Sequence, residues 1–192
     1  FFSTIAGDSH RMTYIEDPVS GVAQVVKNAG DIAYRGFELE SVYSMTDTVT
    51  MLASVGYVHS KYENLISDLN GDFIINYLDY AVEIPRAAPL TYSLAFNVDG
   101  NLGSWRTITR ISYYHRDKSY YNENNQGYIN KQDILNFGYD VYSPNGKINV
   151  GIYGKNLSNE VKHGGDTNLS FGGTFAPLAK GKVVGAEVVY KF

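Results

Sequence analysis

Four histidines, His10, His59, His115 and His163, are the residues best suited to exchange a proton near neutral pH or to hold a transition metal. Each stands singly, with no His-x-x-x-His or His-Cys spacing and no cysteine anywhere, so no metal set is read from them and each is expected at a rim or in a loop. No serine sits in a Gly-x-Ser-x-Gly elbow, and neither a catalytic set nor a cofactor site follows from the residues. What remains is binding chemistry. Three polar stretches carry tyrosines, amides and carboxylates: Tyr62, Asp68, Asn70, Asp72 and Tyr77; then Tyr120, Tyr121, Asn122, Asn124 and Asn125; then His163, Asp166, Asn168 and Phe171. Tyr and Asn combine flat apolar faces with hydrogen-bonding groups, which suits siderophores, sugars or peptides, although ordinary solvated loops have similar composition.

The elements that would position these stretches are strands. In Leu90–Val98 every even position is large and apolar, with Thr91, Ser93, Ala95 and Asn97 between. Val184, Ala186, Val188, Tyr190 and Phe192 alternate in the same way with Gly185, Glu187, Val189 and Lys191. The period recurs in Phe37–Met45, Val49–Tyr57, Trp105–Arg116, Leu135–Val141 and Lys147–Tyr153, and a first, irregular strand is expected near Phe1–Ile15. The connections alternate in length. Met45–Thr48, Asp99–Ser104 and Ser143–Gly146 read as tight turns, whereas the stretches near Asn64–Ala88, Lys118–Asn130 and Lys162–Lys180 are long and polar.

Roughly eight antiparallel, hairpin-linked strands with short turns on one side and long loops on the other describe a transmembrane β-barrel segment of an outer membrane. The composition agrees: 14% aromatic residues with 17 Tyr and 9 Phe, 19 Gly, and no run of apolar residues long enough for a spanning helix. Trp105, Tyr113, Tyr43 and Tyr190 near the ends of apolar faces fit an interfacial girdle in contact with the lipid bilayer. A soluble β-sandwich is the alternative, because its strands alternate too. The net charge of −4, without basic runs, offers no surface for nucleic acid. In a barrel, Glu38, Glu40, Arg106, Arg110, Arg116, Asp140, Glu187 and Lys191 would face the lumen, and so would Gly36, Gly56, Gly138, Gly151 and Gly185. Arg106 and Arg110 are then either part of a path for anionic ligands or, the reading preferred here, partners of carboxylates that hold the interior together.

Four stretches resemble the carboxy-terminal half of the barrel of TonB-dependent receptors, outer-membrane transporters of Gram-negative bacteria. Asn28–Glu40 resembles the family's Asn-x-Gly followed by Gly-x-Glu-x-Glu, and Pro85–Pro89 its proline-containing entry into a strand. Tyr153–Glu160 is similar to its Asn-Leu-Thr-Asp/Asn motif, with Ser158 for the commoner Thr, and Ala176–Phe192 resembles its terminal strand. The resemblance implies about the last third of a 22-stranded barrel, residues 1–192 being one carboxy-terminal portion of it. It also implies solute uptake driven by the TonB complex, a plug domain and remaining strands as partners, and assembly machinery that reads the closing strand at Tyr190 and Phe192. Neither a plug, a TonB box nor a signal peptide stands in these residues, so the chain is expected to be a fragment. A passive pore, or a small barrel closed on itself, remains the other possibility.

Overall fold

The computed structural model describes residues 2–17, 21–125, 127–162, 167–169, 173–175 and 177–192. Eight strands form one antiparallel sheet: β1 (Phe2–Asp17), β2 (Gly21–Ser44), β3 (Val49–Leu65), β4 (Leu90–Leu102), β5 (Trp105–Arg116), β8 (Gln132–Tyr142), β9 (Ile148–Lys155) and β12 (Val183–Tyr190). Each pairs with its neighbour in that order, so β1 and β12 are the two edges and the sheet is not closed on itself. The long connections carry short elements: α1 (Tyr77–Tyr80), the hairpin β6 (Ser119–Tyr120) with β7 (Tyr128–Ile129), and the hairpin β10 (Thr167–Leu169) with β11 (Gly173–Phe175).

Register turns the period-two pattern into two unlike faces. Reading across from β2 to β12, Tyr43, Met51, Phe96, Ile111, Phe137, Gly154 and Val184 stand side by side in one row. A parallel row further toward the short turns runs Gly100, Thr107, Val141, Val150 and Val188. This apolar face is open to the surroundings, with Leu39, Tyr43, Ile152, Val184 and Val188 all exposed. Contiguous exposed apolar rows of this kind are unusual for a monomer in water, and among the described residues no second layer covers them. The opposite face carries rows such as Glu38, Gly56, Thr91, Arg116 and Gln132.

The short turns are tight for local reasons. The Met45 N–H donates to the Val49 carbonyl at 2.8 Å while Thr46 Oγ1 accepts from the N–H groups of Thr48 and Val49. In the second turn β4 continues through Leu102 and β5 starts at Trp105, which leaves only Gly103 and Ser104, with Gly103 at φ +62°. The turn is thus shorter than the Asp99–Ser104 span read from sequence.

The buried core lies at the other end, where the long loops leave the strands. Ala29, Ile32, Tyr62, Leu65, Leu69 and Ile84 form one cluster, with Tyr34, Val82 and Ala87 against it. Gly30 permits this packing: at φ +134°, any Cβ there would collide with the Asn64 carbonyl. β2 runs back to Gly21, well beyond the Phe37 start suggested by alternation, because a register shift between Asp31 and Ile32 breaks the period there.

Candidate functional site

The polar face is built from short ion pairs that bridge neighbouring strands. Arg106 Nη2 lies 2.5 Å from Asp99 Oδ1, tying β5 to β4. Arg110 pairs with Asp140, tying β5 to β8. The Asp140 carboxylate extends over Gly151, where a Cβ would stand 2.6 Å from its Oδ1, and Glu187 is the next position in the same row. Gly185 is likewise small because the Tyr153 ring lies across it, 2.5 Å from where a Cβ would be. Both arginines thus meet carboxylates of the sheet itself. Glu38 and Glu40 stand further along β2 on this face, opposite Gly56 and Ser54.

The loop end holds the tyrosines and amides named above, and the structure divides them. Tyr62 is not a loop residue: it stands in β3, 4% exposed within the core cluster, because the strand continues to Leu65 and the chain folds back over it. Asp72 and Tyr77 lie exposed on the same excursion between β3 and β4. Tyr120, Tyr121 and Asn125 belong to a clasp between the first and second long loops. The Arg86 N–H donates to the Tyr120 carbonyl at 2.7 Å, and the Arg86 guanidinium lies 4.7 Å from the Tyr121 ring centre. Asn125, at φ +55°, accepts from the Glu83 N–H at 2.6 Å and donates to the Glu83 carbonyl at 2.9 Å. Asn124 sits beside it, half-buried. Beside the clasp an open cleft of about 440 Å³ lies between Glu83, Asp117, Lys118, Tyr120 and Lys131. The Lys118 ammonium rests 4.7 Å and 4.5 Å from the ring centres of Tyr120 and Tyr128, cation–π contacts that hold its charge at the cleft wall. Asn168 is in β10 opposite Thr174, while His163, Asp166 and Phe171 lie outside the described residues.

Three features of this end escaped the sequence reading. His115 is not isolated: Nδ1 is 2.6 Å from Asp133 Oδ1 and Nε2 is 3.1 Å from Asp117 Oδ1, with Tyr92 stacked on the ring at 4.6 Å. The Tyr113 hydroxyl donates to the same Asp133 oxygen at 2.7 Å. The cluster locks β5 to β8 at the loop end of the sheet, and only the cross-strand pairing of His115 with Asp133 reveals it. The second feature is the role of the Asn-Leu-Ser-Asn motif. Asn156, at φ +51° and 9% exposed, donates to the carbonyls of Glu160 and Lys180 at 3.2 and 2.9 Å and accepts from the Glu160 N–H at 2.9 Å. Asn159 accepts from the Lys182 N–H at 3.0 Å, so the motif fastens the exit of β9 to the entry of β12.

The third is the acidic turn between β3 and α1. Asp68 Oδ1 and Oδ2 accept from the N–H groups of Gly71 and Phe73 at 2.8 and 2.9 Å. Asp79, fully buried, accepts from Leu69, Asn70 and Asn76 at 2.7, 3.1 and 2.8 Å. Burial alone pushes the Asp79 carboxyl up, but the three backbone donors outweigh it and hold the group below its ordinary value. Asp72 is also held low, first by the Ile74 N–H and then by the amides of Asn76 and Asn70. Ligand oxygens of Asp68, Asp72 and Asp79 lie within 4.8 Å of one another.

No protein-family model and no curated protein sequence matches the chain. Solved structures do. The ferric yersiniabactin uptake receptor FyuA of Yersinia pestis superposes over 99% of this chain with a TM-score of 0.73 at 13% identity. The chain has the fold of a portion of a TonB-dependent receptor barrel. BauA, the ferric preacinetobactin receptor of Acinetobacter baumannii, matches over 95% of it with a TM-score of 0.62 at 14% identity. The copper transporter OprC matches over 99% with a TM-score of 0.61 at 15% identity. These are receptors and a transporter rather than enzymes. The chain spans 34%, 26% and 28% of the three, about a quarter to a third of their length. The all-β, antiparallel, eight-stranded reading from sequence stands.

Proposed function

We propose that the chain forms part of the wall of an outer-membrane uptake receptor, its apolar face against lipid and its charged face toward a lumen occupied by a plug domain. The observation that carries this reading is the union of a one-layer sheet apolar on one side with connections that alternate between tight turns and long, internally bonded loops. A soluble sandwich would need a second sheet over the apolar rows, and among the described residues there is none. The rest of the barrel supplies the strands that complete the edges at β1 and β12, since lipid does not tolerate unpaired backbone. Solute is captured at the loop end, where Asp72, Tyr77, Tyr120, Tyr121 and Asn124 are the candidate contacts, with Asp166 and Asn168 candidates from sequence alone, and passage past the plug draws on the TonB complex. Arg106 and Arg110 act as braces of the wall, because each already meets a carboxylate of the sheet. A metal complex is the solute class we infer, a reading supported by the likeness to two ferric-siderophore receptors and a copper transporter. Deletion of the gene is expected to abolish accumulation of a labelled ferric siderophore or copper complex by energised cells. An uncoupler is expected to abolish the same uptake in the parent strain. Uptake that survives the uncoupler would instead indicate a passive pore.

A further inference from the structure

We propose that the twelve residues Asp68–Asp79 form a calcium-binding loop on the loop end of the sheet. Two independent observations meet here. The first is sequence register: Asp68, Asn70, Asp72, Ile74, Asn76 and Asp79 occupy positions 1, 3, 5, 7, 9 and 12, the ligand positions of the helix-loop-helix calcium loop, in which position 7 contributes its backbone carbonyl. The second is spatial. The carboxylates at positions 1, 5 and 12 converge to within 4.8 Å although the chain between them could have spread them over the surface. No lysine or arginine occurs between Lys61 and Arg86, so the segment brings no positive charge of its own to balance Asp79, which is completely buried. Three backbone donors already satisfy part of Asp79, and the oxygens left on the three converging carboxylates can take a cation, for which hard oxygen donors in this number select calcium over transition metals.

The loop departs from the usual pattern twice. Position 12 is Asp rather than Glu, one methylene shorter, and α1 brings it inward so that its oxygens reach the loop backbone. Position 6 is Phe73 instead of glycine, yet it adopts φ +68°, the left-handed backbone that this position requires, with its side chain 94% exposed. The consequence is mechanical: calcium would set the excursion carrying Tyr77 and fix the floor of the core through Leu69 and Ile84.

The proposal stands apart from the transport reading. The intact protein, purified in detergent and stripped with EDTA, is titrated calorimetrically with CaCl₂. One site is expected, with a Kd on the order of 10⁻⁴–10⁻³ M, the range of extracellular modules. Asp72→Ala, at an exposed position outside the core, should weaken binding at least about ten-fold. Phe73→Gly should strengthen it, a gain that misfolding cannot produce. An absence of binding up to about 10 mM, affinity unchanged by Asp72→Ala, or equal affinity for Mg²⁺ would each overturn the assignment.

Discussion

The belt half of the sheet and its loop end are built on different principles. In the belt, β4, β5, β8, β9 and β12 are held by unbroken ladders, and side chains sort by parity into an apolar and a charged face. At the loop end the ladders give way to side chains that bond to backbone: Asp68, Asp79, Asn125, Asn156 and Asn159 each satisfy peptide groups of distant or returning segments. The belt needs only a repeating pattern, so that many sequences would serve. The loop end needs particular residues at particular places, since short polar side chains that close turns are not interchangeable.

Substitutions should separate the two regimes, and the largest effect is expected in the belt. Val188→Arg places a charge in the apolar row of β12 and should cost about 2–4 kcal/mol if that row lies at mid-membrane, measured by reversible unfolding in lipid vesicles. A cost near zero would remove Val188 from the lipid face. At the loop end, Asn156→Ala removes a buried hub of several hydrogen bonds from a left-handed position and should cost about 2–3 kcal/mol, seen as faster hydrogen exchange confined to 156–162 and 180–183. Asn125→Ala, which opens the clasp to Glu83, should cost about 1 kcal/mol and raise exchange only in the two long loops. Arg106→Gln should change stability by less than about 1 kcal/mol because its pair with Asp99 is largely solvent-exposed in the sheet.

Acid gives a further contrast. Asp72 and Asp79 are held below the ordinary carboxylate value in the folded loop, so the ordering they confer is present above that value and lost as pH falls through their lowered ones. Protease resistance of the Asp68–Asp79 segment is therefore expected to be unchanged from pH 7 to about pH 5 and to fall only below about pH 4. Loss near pH 6 would point to histidine instead.

The same division explains what could be read from sequence. Leu90–Val98 and Val184–Tyr190 announce themselves, because period two is a local property of a strand with unlike faces. Even so, alternation alone marks β2 only from Phe37 onward, since Gly21–Asn28 does not alternate and its pairing with β1 supplies what the pattern lacks. Tyr62 looked like a loop tyrosine because only the fold-back of Leu69 and Ile84 buries it. His115 and Asp133 are 18 residues apart, and no spacing rule connects them without the register of β5 on β8. The Asp68–Asp79 spacing is local as well, but its ligands are oxygen-only and lack the histidine and cysteine that mark most metal sites.

The orientation of the sheet in the membrane decides the account most directly. Single cysteines at Asn124, in the second long loop, and at Asn145, in the third tight turn, can be challenged in whole cells with a membrane-impermeant maleimide. Labelling of Asn124→Cys in intact cells, with Asn145→Cys reacting only after the outer membrane is permeabilised, is the expected result. Labelling of Asn145→Cys but not Asn124→Cys would invert the topology, and equal labelling of both would contradict a membrane-spanning wall altogether.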